Sequence, residues 1–335
     1  MGSQLSRRSA GGGVTRTAYL SGLGVMGRRH LRALVRAGFS VTATDPNVAA
    51  RDAATKELVQ AGLPASALTV TASPNGEFEL AVFAETAPHR LDNYRRFLER
   101  GRAHRVLLEK PLSADPAALD AFVTSARDHQ QLTATEVNLG RRAWPHVRQL
   151  AELCARESHF AMSVTGGAVG LGSIGIHLLD TFLMLSGDSF PDVIWSAVSE
   201  GTIKSGRGPQ FRDYGAEFVL RSARGTLLAS LDAASSANVT MVVRGEHFVA
   251  QMDYTDVTWK LSRRRLDSQL PNYRYGADYE VVEHGPLAIL QMEELAEMWA
   301  RGEVRLPTVE QACHVHRLLA IILAAGGAPA PYAFT

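Results

Sequence analysis

The chain is 335 residues long, 46% hydrophobic and 21% charged, which is enough for two domains and too apolar for a disordered protein. With 35 basic against 34 acidic residues the net charge is +1, so there is no global basic field for nucleic acid or an anionic membrane. Cys154 and Cys313 are the only cysteines, too few for a disulfide framework or a thiolate metal site, and no apolar run approaches a membrane span. The expectation is a cytoplasmic protein with no metal, no nucleic-acid partner and no membrane partner.

Residues 1–16 carry Arg7, Arg8 and a triple glycine but no apolar segment, so they read as a disordered tail rather than a secretory signal. From Thr17 short apolar runs alternate with helical stretches. Strands are predicted at Ala18–Ser21, Ser40–Thr44, Leu68–Thr71, Leu80–Ala84, Arg105–Leu108 and Leu132–Val137. Helices are predicted at Met26–Ala37, Val48–Ala61, His89–Arg100 and Asp115–Gln130. That alternation predicts an α/β fold with a doubly wound parallel sheet, a Rossmann domain over 17–137.

Beyond Asn138 the texture changes. A helix is predicted at Trp144–Arg156, then a glycine-rich stretch, then a helix at Ile174–Leu185. Strands follow at Val193–Glu200, Ala216–Leu220, Thr226–Asp232, Thr240–Val243 and Phe248–Met252, with Arg244-Gly245-Glu246 as a hairpin turn. Helical periodicity returns at Leu287–Trp299 and at Val309–Leu323, the latter entered through Pro307 and Thr308. Residues 138–335 are therefore expected to form a second, mostly antiparallel α/β domain, and the resemblance described below implies that its sheet is open and serves substrate binding and oligomerisation.

Gly22-Leu23-Gly24-Val25-Met26-Gly27 follows the first strand and opens the first helix, the context a dinucleotide fingerprint requires. Gly22 suits the tight turn, Gly24 a close approach of a pyrophosphate, and Gly27 close packing of helix on strand. Asp45 closes the second strand eighteen residues beyond Gly27, where its carboxylate can accept from ribose hydroxyls and would repel a 2′-phosphate. NAD is thus expected over NADP. The same residues also fit an ordinary strand-to-helix turn in which Asp45 caps the next helix.

Lys56, Lys110, Lys204 and Lys260 are the only lysines, so arginine is the default cation here. A lysine kept where arginine would serve charge equally well suggests proton exchange. Lys110 stands at the carboxyl end of a predicted sheet strand, where open α/β sheets bind ligands, and Pro111 fixes its backbone. A plain surface lysine is the alternative. Among the eleven histidines, His314 and His316 lie two apart and point to different helix faces, which does not suit a metal site. His177 instead lies on a helix that begins around Ser173 after a glycine-rich approach. Ser173 shares its face, and Asp180 can stack beneath the imidazole. A buried histidine bonded to Asp180 is the structural alternative.

Gly22–Gly27 followed by His30, the strand end Leu108-Glu109-Lys110-Pro111, and Gly175-Ile176-His177-Leu178-Leu179-Asp180 together resemble the Gfo/Idh/MocA oxidoreductases. Thr86-Ala87-Pro88-His89 and the closing 306–312 stretch extend the resemblance over about Thr17 to Gly326. It implies nicotinamide-dependent redox chemistry on a sugar, nucleotide sugar, amino sugar or cyclitol, and an open sheet that serves as a subunit interface. It also implies that Val25, Met26, Thr86, Pro88, His89 and Glu109 contact the cofactor. By the same resemblance Lys110 and His177 are catalytic, and Arg142 and Asn138 line the substrate cleft. Ser173 stands where relatives carry an aspartate, a departure that touches the usual lysine-aspartate-histidine arrangement. The expected function is an NAD-dependent dehydrogenase or ketoreductase on CH–OH groups of a polyol or sugar-like substrate, acting as a homo-oligomer. A NAD(H)-binding sensor without turnover and a redox-neutral hydrolase or epimerase are the alternatives.

Overall fold

A computed structural model describes residues 16–113, 115–167, 169–204, 211–232, 235–271, 278–330 and 332. The tail expected over 1–16 lies, apart from Arg16, outside the described residues. Strands β1 (Thr17–Ser21), β2 (Ser40–Thr44), β3 (Leu68–Val70), β4 (Gly76–Phe83), β5 (Gly101–Leu108) and β6 (Thr135–Val137) form one sheet in the order β3-β2-β1-β4-β5-β6. Every pair in it is parallel. The chain runs outward from β1 to β3 and returns to the other side of β1 at β4. The carboxyl ends of β1 and β4 therefore open a crevice, the ligand position of doubly wound sheets.

Helices α1 (Val25–Arg36), α2 (Val48–Gln60), α3 (Ala87–Arg100) and α4 (Pro116–Asp128) cover the sheet. Helix α1 buries Leu31, Leu34 and Val35 against Ala18 and Leu20 of β1, while Tyr19 faces the other way into a cluster with Phe78, Phe83 and Phe97. This opposed alternation is what a strand covered on both faces requires.

The second part contains α5 (Pro145–Cys154), β7 (Phe160–Gly167), α6 (Ile176–Ser186), β8 (Asp192–Lys204), β9 (Arg212–Arg221), β10 (Gly225–Asp232), β11 (Thr240–Arg244), β12 (Phe248–Asp253), β13 (Thr258–Arg264) and β14 (Tyr279–Pro286). Its eight strands run β14-β13-β12-β11-β7-β10-β9-β8, antiparallel throughout except for the β7–β10 pair. The fold is thus the expected Rossmann-type sheet followed by a mostly antiparallel one. The turn after β11 forms where expected, and the buried Glu157 carboxylate accepts the Glu246 amide at 2.8 Å.

Three strands went unrecognised in the sequence. In β7 the alternation of buried Phe160, Met162 and Val164 is hidden by the glycines that end the strand. In β13 Trp259 and Leu261 alternate inward over too few residues to stand out. Strand β14 is an edge with most side chains facing solvent, so it carries little hydrophobic signal.

Helices α7 (Met292–Ala300) and α8 (Val309–Ala325) return to the first part. Leu295, Trp299 and Ala300 of α7 lie in the same core as Leu20, Leu31 and Leu34, and Arg32 of α1 pairs with both Glu57 and Glu293. The Trp299 indole donates to the buried Glu136 carboxylate, which also holds Arg105 at 2.9 Å and Arg305 at 3.2 Å. Helix α8 starts at the expected Thr308 through a capping box with Gln311 and packs on α4 and α6. Helix α7 thus lies in the core beneath the first sheet, while α8 packs between α4 of the first part and α6 of the second.

Candidate active site and nucleotide cleft

A cleft of about 1370 Å³ runs along the carboxyl ends of β1, β2 and β4. Gly22 has φ +85°, and a Cβ there would lie 2.8 Å from the Glu85 amide nitrogen. A Cβ on Gly27 would sit 1.9 Å from the Gly22 carbonyl oxygen, so any side chain at either position would push the turn apart. A Cβ on Gly24 would meet only open space beside the cleft. Arg28 makes the first α1 bond, to the Gly24 carbonyl, so the amides before it have no intrahelical partner and suit an anion. The three glycines thus take the three roles a pyrophosphate loop needs, and a dinucleotide fits.

Asp45 stands on the cleft wall with Oδ2 accepting the Leu23 amide at 2.6 Å and Oδ1 accepting the Asn47 amide at 2.8 Å. It braces the glycine loop from β2. The helix cap is Asn47, whose side chain accepts from Ala49, and not Asp45. Val25, Met26, Thr86 and His89 line the cleft as expected, whereas Pro88 is exposed as the first-turn proline of α3 and is not on the wall.

Lys110 follows β5 by two residues, at the junction of this cleft with a second cavity of about 300 Å³, and Met26, Lys110 and Ser173 line both. The peptide joining Lys110 to Pro111 is cis. Its loop is fixed by two distant residues: the Arg90 guanidinium donates to the Pro111 carbonyl, and the Leu112 amide donates to His316 Nε2 at 2.8 Å. His316 can accept only as neutral imidazole, and burial pushes its pKa down to about 4. His314, two residues away, lies against Phe190 instead.

Glu109, expected to contact the cofactor, is buried between its neighbours. Its Oε1 accepts from His30 Nε2 at 2.7 Å and from Asn138 Nδ2 at 2.7 Å. Burial alone would raise this carboxyl, but the His30 bond and charge and the Asn138 amide outweigh it and hold it down to about 2. Glu109 is therefore a fixed anion that anchors α1 and the segment after β6 to the strand end carrying Lys110. Asn138, expected on the substrate cleft, does line the smaller cavity while making this bond.

His177 lines the smaller cavity with Lys110, Ser173 and Trp144. Its pKa lies well below the ordinary histidine value, first through burial and then through the cations Lys110 and Arg141, so the imidazole is neutral near pH 7. Asp180 does not sit behind it. That carboxylate is a buried partner of Arg142, bound at 2.7 Å through both Nε and Nη2, and His177 Nδ1 has no hydrogen-bond partner. One helical turn brings the two residues near each other, but the fork of Arg142 matches a carboxylate better than an imidazole does. Arg142 is thereby withdrawn from the cavity, and Arg141 takes the place expected for it.

Between β7 and α6 the chain makes a wide turn over Leu171–Gly175, closed by a Gly175 amide bond to the Gly170 carbonyl at 3.0 Å. Asp213 at the start of β9 accepts the amides of Gly172, Ser173 and Tyr214 at 2.8, 2.8 and 2.9 Å. The Ser173 carbonyl in turn accepts from the Lys110 ammonium. Nothing in the local sequence pointed to Asp213, because its partners in the turn, Gly172 and Ser173, lie about forty residues earlier in the chain.

Glu85, at the end of β4, was also missed, although an acid directly after the apolar Ala81–Ala84 run is a signal in itself. It lines the larger cleft, and neither carboxylate oxygen has a hydrogen-bond partner. Burial pushes its pKa up to about 7 against the pull of Arg90.

No protein-family model matches the chain, and no curated protein sequence does. Solved structures do. A super-repressor mutant of Gal80p from Saccharomyces cerevisiae is 13% identical with a TM-score of 0.70, covering 93% of this chain and 96% of that one. The UDP-N-acetylglucosamine 3-dehydrogenase GnnA from Acidithiobacillus ferrooxidans is 15% identical with a TM-score of 0.66, covering 93% and 98%. GenD2 from gentamicin A biosynthesis, in complex with NAD, is 13% identical with a TM-score of 0.61, covering 96% and 97%. At such identities the likeness establishes a shared two-part fold.

Proposed function

We propose that the protein is an NAD-dependent oxidoreductase that moves hydride between nicotinamide and a carbinol or ketone carbon of a polyol, sugar, nucleotide-sugar or amino-sugar-like molecule. The observation that carries this reading is the shared wall of the two cavities: Lys110 and Ser173 stand where the nucleotide cleft opens into the space lined by His177. A bound nicotinamide supplies the carbon that takes or gives the hydride. The rest of the chemistry falls to side chains of this chain.

Hydride leaves a carbinol readily only as its hydroxyl proton departs, so a base must face that oxygen. His177, held neutral, takes the proton, and Lys110 polarises the oxygen. Glu109, His30 and Asn138 hold the strand end in place. Asp45 accepts from the adenine ribose, which favours NAD over NADP. Both cysteines are buried free thiols, which suits a reducing, cytoplasmic setting. Among the described residues no helix is long and apolar enough to cross a membrane. The outer face of the second sheet exposes Trp195, Ile194 and Leu228, which supports a homo-oligomer formed through that face.

The test is a titration of NADH and NADPH into the purified protein, followed by nicotinamide absorbance over a panel of polyols and keto-sugars. Cofactor binding with turnover supports the reading. A second reading, a NAD(H)-binding sensor without turnover, draws on Ser173 and on the Gal80p likeness; it predicts tight binding and no absorbance change.

A further inference from the structure

The smaller cavity has a cation that the sequence did not single out. Arg141 lies in the short turn Gly140–Ala143 between β6 and α5. Its guanidinium carbon stands 4.7 Å from the Tyr254 ring centroid and 5.4 Å from that of Trp144, so aromatic faces hold it, and the Tyr254 hydroxyl also bonds to it. Ring faces stabilise the charge but accept no in-plane N–H bond. Nη1 is buried and has no hydrogen-bond partner. No carboxylate of the described residues pairs with Arg141. Asp180 is occupied by Arg142, and Glu109 by His30 and Asn138.

A buried guanidinium keeps its charge, so an N–H left without an acceptor is costly. The chain could have stored this cation as it stores Arg142, against a carboxylate, and it does not. Arg141 lines the same cavity as Lys110 and His177, so an acceptor entering that cavity would meet a planar donor fork beside the proton-exchanging groups.

We propose that Arg141 binds an anionic substituent, a carboxylate or a phosphate, carried by the molecule that reacts at Lys110 and His177. The inference rests on the reading of this cavity as the substrate site and narrows the substrate class to acidic derivatives. It also gives a reason for the neutral state of His177, since a proton placed between two cations would be expelled until an anion arrives.

The experiment measures binding to the NADH-saturated protein, and to the protein alone, for two matched series: glucose, glucuronate and glucose 6-phosphate, and glycerol, glycerate and glycerol 3-phosphate. In at least one series the acid should bind about tenfold or more tightly than its neutral parent, the scale of a charge-assisted bond. Arg141→Gln should reduce that preference to about threefold or less, and Arg141→Lys should keep part of it as a point charge without the fork. A preference confined to the carboxylate or to the phosphate identifies the anion. Acid-selective binding without hydride transfer would uphold the anion site and remove the redox reading. If no acid outbinds its neutral parent, or if the preference survives Arg141→Gln, the inference is overturned.

Discussion

The Lys110 ammonium donates to the main-chain carbonyl of Ser173, which ties the end of the first sheet to the turn that launches α6. The same residue's amide is held by Asp213 at 2.8 Å. Ser173 therefore works through its backbone, whose two polar groups are both committed, while its hydroxyl turns to the Gly170 carbonyl at 3.3 Å. Ser173 is thus a joint between the halves, held from β5 by Lys110 and from β9 by Asp213.

Lys110→Met should leave the protein folded, because the loop is held independently by Arg90 and His316, while turnover falls by about a hundredfold or more. Lys110→Arg should not restore it, since the larger planar guanidinium does not reproduce the compact ammonium that polarises the oxygen. Steady-state rates with circular dichroism as the folding control decide this. A near-normal Arg variant would leave Lys110 as a strand-end cation only.

His177→Ala should abolish most turnover and Ser173→Ala should cost less than about tenfold, because the alanine keeps the backbone bonds. The acid limb of the kcat/KM profile should fall below the ordinary histidine value, given the downward shift from burial, Lys110 and Arg141. Ser173→Asp should move that limb upward by favouring the imidazolium. An unchanged profile in the aspartate variant would show that position 173 does not influence His177.

NAD should bind more tightly than NADP, and Asp45→Ser should narrow the difference. The serine also loses one brace on the glycine loop, so NAD affinity itself should fall. Dissociation constants for both cofactors with both proteins measure this, and a tighter NADP value for the unaltered chain would contradict the assignment.

Two buried groups give stability opposite dependences on pH. Between 4.5 and about 7 Glu85 holds a proton in the folded chain that it has lost in the unfolded one, so stability declines as pH rises, by up to about 3 kcal/mol. His316, lowered from 6.5 to about 4, contributes stability that is present above 6.5 and lost as pH falls towards 4. In urea unfolding, Glu85→Gln should stabilise the protein at about pH 8 and change little at about pH 4. His316→Gln, which keeps an acceptor for the Leu112 amide, should flatten the acid side. A Glu85→Gln effect that is the same at both pH values would show that its carboxyl is not the titrating group.

Much of the nucleotide end was legible because its chemistry is local: Gly22, Gly24 and Gly27 act within six residues, and the strand preceding them shows its period plainly. The strand end at Lys110 was legible for the same reason. What could not be read is whatever depends on pairing across the chain. Asp180 was placed behind His177 from helix spacing alone, and the competing claim of Arg142, thirty-eight residues earlier, became visible only in three dimensions. Arg141 and Arg142 are equivalent as letters, and only the Asp180 partner distinguishes the neutralised one from the one that lines the cavity. Asp213 and His316 likewise act on segments far from them in sequence.

The most direct test of the account is nicotinamide absorbance with wild-type protein and His177→Ala, run with NAD and NADH over neutral and acidic polyols and keto-sugars. The account predicts turnover by the wild type on at least one member of the panel and loss of most of it in the variant, with NADH affinity unchanged. Tight NADH binding by both proteins with no absorbance change on any substrate would contradict it and leave a cofactor-binding sensor in its place.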